Sequence, residues 1–275
     1  MSRPERRDPR EDRRRGRDEG RGARHDEPFD PIWSRAEPTG RRAPRSRADI
    51  AQAAIAVADA EGIDAVSMRR VAMELGLGTM SLYHYVHGKD ELIDLMSDGI
   101  LGGQLVDEAE LRQGWRPALR AIATATRRNF ERHPWILGAL QPRPRAVPGP
   151  NSLRHFDQSV GAVADLEIDL KTKMEIVALI DDYVFGFSLR AYLAGLEERF
   201  EQAEPGWVQA VFDYMALELE TGAYPNVKRI VDENRAAGGK DEDLPPMALD
   251  EGRFEHGLER LLDGIELELK RRRGR

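Results

Sequence analysis

The chain of 275 residues has no cysteine. That absence excludes disulfide staples and thiolate metal sites, and it makes a reducing cytoplasm the simplest setting. No apolar run approaches the roughly 18 residues that a bilayer-spanning helix requires. The amino end lacks a hydrophobic signal core, so no membrane partner is expected. No Gly-rich phosphate loop, Ser-His-Asp arrangement or zinc-ligand spacing occurs, so neither an enzyme nor a bound cofactor is expected. Alternating strand patterns and internal repeats are missing too, and the fold is expected to be all-α. A local absence is more pointed. In a chain of which 33% is charged, no acidic residue occurs from Leu75 to Lys89, and a carboxylate-free surface is one that can approach a polyanion.

That window lies within a series of short amphipathic helices. Ser46 is followed three positions later by Asp49, the capping-box spacing that satisfies open amide donors at a helix start. Ile50, Ala53, Ala54, Val57 and Ala60 then form an apolar stripe that ends at Gly62. Ser67 caps a second helix through Leu75, with Val71, Ala72 and Leu75 turned inward and Met68, Arg69 and Arg70 on its exposed first turn. Gly76 stops it and permits a left-handed backbone. A third helix, Gly78 to about Tyr85, buries Leu82 and Val86 and shows Thr79, Met80, Ser81, Tyr83 and His84 on its other side. Hydroxyls suit bases or phosphates, and a methionine suits a thymine methyl, so this face reads as a double-stranded DNA contact. Lys89 opens a fourth helix, where an ammonium group and a helix N-terminus form a phosphate clamp.

The run from Ser67 to Leu92, above all Leu82-Tyr83-x-Tyr85-Val86 followed by Gly88-Lys89-x-Glu91-Leu92, resembles the helix-turn-helix of TetR-type transcriptional regulators over about fifty residues. The resemblance implies that Arg69 reaches a base, that Thr79, Met80, Ser81 and Tyr83 line the groove, and that Ser67, His84, Tyr85 and Lys89 touch phosphates. It also implies a repressor that binds a palindromic operator as a homodimer and is released by a small-molecule effector. Weaker likeness extends from about Leu111 to Leu219, through Trp115-Arg116, the Arg132-His133-Pro134-Trp135 turn and Asp182-Tyr183-x-x-Gly186-Phe187. This part resembles the family's helical ligand-binding domain. The expected organisation is a disordered Arg-rich tail over 1–44, a three-helix DNA-binding domain over 45–96, and a larger helical effector-binding and dimerisation domain over 97–275.

The net charge of -7 misleads about the partner. Residues 1–47 carry 15 Arg and no Lys against 10 acids, a balance of +5 that leaves -12 for the remainder. DNA affinity is therefore expected to lean on Arg41, Arg42, Arg45 and Arg47, on helix ends and on Lys89. Residues 1–44 have too little apolar content to offset the entropy of ordering. Within them Pro28 to Trp33 is an apolar island, either a docking segment or a passing hydrophobe in a linker. The Arg cluster is either a minor-groove arm or a solvated charge run.

Further helices are predicted over Trp115 to Arg132, Ser152 to Val163, Glu167 to Leu196, Trp207 to Leu219 and Asp250 to Lys270, with breaks at Gln141 to Pro150 and near Gly238 to Pro246. The stripe of the longest runs through Met174, Val177, Ala178, Asp181, Val184, Phe185, Ser188 and Leu189, and that of the last through Phe254, Leu258, Leu261, Leu262, Ile265 and Leu269. These two stripes either build an isologous four-helix interface or serve the chain's own core. Candidate effector-lining residues are Phe130, Trp135, Leu137, Phe156, Met174, Val177, Asp181, Phe185 and Trp207; as a group they imply a mainly apolar ligand, and singly each is also an ordinary core residue. His133 and His155 lack a second donor at ligand spacing, so no metal is expected. Two other classes remain: a helical-bundle enzyme using Glu175, Asp181 and Asp182, and an adaptor acting through its bundle surface and tail.

Overall fold

The computed structural model describes residues 30–38, 45–139, 147–239 and 249–273. Among them are twelve α-helices, one 3-10 turn and no strand. Most of the expected tail, including Arg41 and Arg42, lies outside the described residues. Residues 31–34, inside the stretch expected to be disordered, form a turn in which the Ser34 hydroxyl donates to Asp30 Oδ1 at 2.8 Å and the Ser34 N–H donates to the Pro31 carbonyl at 3.0 Å.

The head begins with α1 (Arg47–Glu61), whose Ser46–Asp49 capping box is formed as its spacing predicts. Backbone and side-chain hydrogen bonds from Ser46 hold the Asp49 carboxyl below the usual range. The buried face of α1 is broader than the expected stripe, for it comprises Ile50, Ala51, Ala54, Ile55, Val57 and Ala58, while Ala60 is exposed. A short helix packed on three sides buries more than one narrow line of residues. After the 3-10 turn Ile63–Ala65 come α2 (Met68–Glu74), α3 (Thr79–Leu82) and α4 (Lys89–Gly102). Met68, expected on the exposed turn of α2, is buried, because the turn places it beside the apolar underside of the head. Gly76 has φ 67°, the left-handed conformation the tight turn requires. The longest packed contact of the head is α1 against α4, and it depends on Gly99. A Cβ there would stand 3.2 Å from Ile55 Cδ1 and 3.7 Å from Ala51 Cβ.

The body contains α5 (Glu108–Leu111), α6 (Trp115–Arg132), α7 (Trp135–Ala139), α8 (Pro150–Val163), α9 (Leu170–Ala203), α10 (Pro205–Glu220), α11 (Pro225–Ala236) and α12 (Glu251–Arg273). Its core joins α6, α8, α9 and α12 through Leu119, Val163, Ile180, Val184, Phe187 and Phe254, among others. Arg127 reaches into it, with its guanidinium carbon 4.6 Å from the Phe254 ring centre. Tyr183 donates a 2.8 Å hydrogen bond to the Phe254 carbonyl, and a Cβ at Gly257 would collide with the Tyr183 hydroxyl.

One expectation changes here and one open alternative narrows. The buried stripe of α9 follows Ile176, Val177, Ile180, Val184 and Phe187, whereas Ala178, Asp181 and Phe185 are exposed. On α12, Phe254, Leu258, Leu262 and Ile265 are buried in the chain's own core and are not available to a second subunit. The α10 helix is the opposite case. Trp207, Phe212, Tyr214, Met215 and Leu217 are all exposed.

Candidate nucleic-acid interface and effector region

In the chain Thr79–Leu82 is the regular part of α3, and hydrogen bonds from His84 to Ser81 and from Tyr85 and Val86 to Leu82 carry the coil onward. Leu82, Tyr85 and Val86 lie beneath it, each at most 1% exposed. Above it Met80 is 77% exposed and Tyr83 42%, His84 is exposed, and Thr79 and Ser81 are half-buried. The four expected groove residues and His84, expected at a phosphate, thus share one surface held up by three core side chains. Truncating a support such as Leu82 to Ala would cost about 2–5 kcal/mol.

Tyr85 is a correction. A ring 1% exposed cannot meet a phosphate; it is a core side chain whose hydroxyl oxygen accepts from the Arg45 N–H at 3.4 Å. The alternation of exposed and buried positions after Leu82 follows a helical turn, which rotates Tyr85 inward where Tyr83 and His84 face out. Arg45 and Arg47 are also drawn into the head. Arg45 Nη2 donates to the Leu75 carbonyl at 3.4 Å, and Arg47 Nε donates to the Tyr85 carbonyl at 3.2 Å.

Around this surface Ser67 is exposed and its hydroxyl oxygen accepts from the Arg70 N–H at 3.2 Å, capping α2. Arg70 is committed to Glu61 and Glu74, both at 2.7 Å, while its neighbour Arg69 points into solvent. Lys89 is exposed at the first position of α4, and Gly88 before it supplies no side-chain cap. The first-turn amides of a 14-residue helix and an ammonium group therefore stand together beside the α3 face.

The nine residues expected to line an effector pocket do not gather in one cavity. Trp135, Leu137 and Val177 are buried, Phe130 and Met174 are half-buried, and Phe156, Asp181, Phe185 and Trp207 are exposed. Phe130 and Phe185 meet edge to face at 6.3 Å, but Val177 belongs to the core. Phe156, expected to point inward, is 50% exposed because α8 turns its Ser159 and Val163 side to the core. Asp181 is open to solvent yet crowded by protein. Loss of surrounding water, aided by the like charge of Asp182, pushes its pKa up to about 6. None of the nine lines any of three cavities of about 560, 710 and 510 Å³ among the described residues.

Residues that pattern reading did not single out join the head to the body. The Asp59 carboxyl on α1 lies 2.8 Å from His133 Nδ1 and accepts from the Trp135 indole N–H at 2.7 Å. On α4 the buried Asp98 accepts from the Ser152 N–H at 2.9 Å through its carboxyl, and its carbonyl accepts from Asn151 Nδ2 at 3.1 Å. Both acids lie on helices whose local sequence makes any polar position equivalent, so no signal marked them. His133 is used in the first joint, and burial lowers the pKa of His155. No group of three potential metal donors occurs among the described residues, and no helix there is long and apolar enough to cross a membrane.

The same division appears in the comparisons with known proteins. Residues 50–96 match the family profile "Bacterial regulatory proteins, tetR family", and residues 109–269 match "Tetracyclin repressor-like, C-terminal domain". The chain is 35% identical over 227 residues to the HTH-type transcriptional repressor DrrR1 of Streptomyces coeruleorubidus, covering 82% of this chain and 78% of that protein. It is 31% identical over 156 residues to an HTH-type transcriptional regulator of Saccharopolyspora erythraea, covering 56% of this chain and 65% of that one. Among solved structures, apo ActR from Streptomyces coelicolor aligns with a TM-score of 0.60 at 26% identity, covering 83% of this chain and 98% of ActR. ActR in complex with actinorhodin aligns with a TM-score of 0.57 at 26% identity, over 81% and 95% of the two chains. With a profile matched across most of the body and another across the head, this chain belongs to the TetR family of bacterial transcriptional regulators.

Proposed function

We propose that this protein is a repressor that binds a palindromic operator as a homodimer through the α3 faces of its two heads and leaves it when a small molecule occupies the body. The observation that carries the reading is the α3 surface itself: Thr79, Met80, Ser81, Tyr83 and His84 raised over a fully buried floor, with Lys89 and the start of α4 alongside. Arg69 and Ser67 flank it; Tyr85 acts from beneath. One such surface spans too few base pairs to discriminate well. Two, spaced by about 34–36 Å or a multiple, read a palindrome.

The second copy is best supported on α10, where Phe212, Tyr214, Met215 and Leu217 are 36–71% exposed among the described residues. Repression fits the similarity to the transcriptional repressor DrrR1 and follows from a dimer occluding a promoter. Release by a ligand is supported by the ActR–actinorhodin complex. The route from body to head runs through the Asp59–His133–Trp135 joint, which fixes α1, and through the bond of Asp98 on α4 to the start of α8, which fixes α4. A ligand needs only about 1.4 kcal/mol of preference for the released arrangement to weaken operator binding tenfold. The partly exposed pair of Phe130 on α6 and Phe185 on α9, with Met174 and Asp181 also on α9, is the part of the expected effector set that a ligand reaches without disturbing the core.

The test begins by selecting bound duplexes from a random pool, which should enrich a palindrome. On that duplex Tyr83→Ala should weaken binding by about 1–3 kcal/mol and relax specificity at one position per half-site. Lys89→Ala should weaken all sequences similarly and reduce the salt slope by about one per subunit. Binding unchanged in both variants removes the α3 surface from the mechanism.

A further inference from the structure

The cavity of about 560 Å³ lies away from the Phe130–Phe185 region, between the irregular stretch 103–107 after α4 and the outer face of α6. We infer that it is a second ligand site, which takes a small organic carboxylate bearing a neighbouring hydroxyl or carbonyl group. Its size falls in the range of small-molecule pockets.

Three features of its lining point to that chemistry. Arg128 and Arg132, one helical turn apart on α6, both face it. Arg127 and Arg120 on the same helix are matched to Glu131 and Glu259, both at 2.6 Å, but neither Arg128 nor Arg132 has an ion-pair partner among the described residues. Two unspent guanidinium groups at one cavity are a receptor for a carboxylate. Asp107 and Glu110 line the cavity as well, and their charges count against a multiply charged anion such as a phosphate ester.

The third feature is a pair of buried amides in the lining. Gln104 and Asn129 are each 3% exposed, and Asn129 Nδ2 donates to Gln104 Oε1 at 2.9 Å. Gln104 Nε2 and Asn129 Oδ1 are left buried without a partner. Exchanging O and N in both amides changes which residue holds the spare donor, but one donor and one acceptor remain unmet either way. Such atoms are a standing cost to the fold unless something bonds to them. Both atoms are buried, so a ligand engages them by turning Gln104 outward from its irregular segment. The wall behind that segment is firm, since the Gln158 side chain pairs with Val106 on both sides, Oε1 accepting from its N–H at 3.1 Å and Nε2 donating to its carbonyl at 2.8 Å. Gln104 follows α4 by two residues, so a ligand held there is placed to brace the end of the helix that starts at Lys89.

The experiment titrates the full-length protein with 3-hydroxy-2-naphthoate, a fluorescent two-ring hydroxycarboxylate, beside 2-naphthoate, which lacks the hydroxyl, and 2-naphthol, which lacks the carboxylate. Saturable binding of the hydroxynaphthoate, weaker binding of 2-naphthoate and least of 2-naphthol are expected. Arg128→Ala combined with Arg132→Ala should weaken the hydroxynaphthoate at least about tenfold, and both positions are exposed, so the fold should survive. Gln104→Leu with Asn129→Leu should erase the preference for the hydroxyl while retaining 2-naphthoate binding. Absence of saturable binding, or equal affinity in the double arginine variant, overturns the inference. So does binding lost on Phe185→Ala and kept without the two arginines, which would assign the compound to the α9 region and leave the repressor reading standing.

Discussion

The head, α1 to α4, and the body, α5 to α12, are built from the same kind of amphipathic helix but leave different things uncovered. In the head the large exposed apolar side chains are Met73, Met80 and Tyr83, all on α2 and α3 or at their ends, set among hydroxyls and basic groups. In the body α10 exposes Trp207, Phe212, Tyr214, Met215 and Leu217, and the longer α9 exposes Leu170, Leu179, Phe185, Leu193 and Leu196. Single exposed hydrophobes are ordinary, whereas five large ones on one 16-residue helix are not. The head therefore closes its core within one copy and leaves exposed a mixed polar face of the kind that suits a polar polymer. The body closes its core around α6, α9 and α12 and still leaves many large apolar side chains exposed, among them those of α10, where we propose that a second copy docks.

The largest expected effect comes from denying α10 that partner. Phe212→Glu with Met215→Glu places two carboxylates one turn apart on an already exposed face, so the fold of a single copy should be intact. Sedimentation at micromolar concentration should then find monomers. Operator affinity should fall at least about a hundredfold, because the second head loses the effective concentration that tethering gave it. A variant that stays dimeric with unchanged affinity would mean that α10 is not where the body is incomplete, and the contrast with the head would fail.

The same contrast governs what could be read from the sequence. Head helices are short, capped and separated by glycines with definite conformational work, so the Ser46 and Ser67 caps, Gly76 and the α3 face were all visible in local pattern. Tyr85 was misplaced because a motif reports residue type and spacing, while the side of a turn is decided by what lies beneath it. Met68 failed for the same reason. In the body, long helices were visible but their roles were not. The stripe of α9 drifted because apolar residues lie on more than one side, so that Phe185 and Val184 compete for the core and Val184 wins. The α12 stripe was legible as apolar, yet periodicity does not say whose core it enters. The short helices α5 and α7, and α11, were missed. Asp59, Asp98, Gln104 and Asn129 act across separations of 25 to 76 residues, which no local pattern reports.

Asp59 offers an intermediate effect that tests how far the head is independent. Asp59→Ala leaves the Trp135 indole and the His133 ring without their shared acceptor, at a cost of about 1–3 kcal/mol for the stranded donor. Hydrogen exchange should show faster opening of α1 and α7, with the amides of the α9–α12 core unchanged. Loss of protection spread evenly over both parts would mean that head and body unfold as one unit.

The smallest effect concerns the cramped polar side of the body. In the folded chain Asp181 has a pKa of about 6 against an ordinary 3.8, because surrounding protein and the charge of Asp182 oppose its ionisation. Between those two pH values the folded chain holds a proton that the unfolded chain has released. Stability therefore falls as pH rises across that interval, and the penalty is complete above about pH 6. Asp181→Asn removes the ionisation and should melt slightly higher than the parent at pH 7.5, with the gap closing as pH falls toward 4. Access to solvent screens the charge, so the gain should be only a degree or two. A melting difference that is flat from pH 4 to 8 would mean that Asp181 ionises as freely as a carboxylate on the open face of the head. The body would then lack the crowded polar recess that sets it apart.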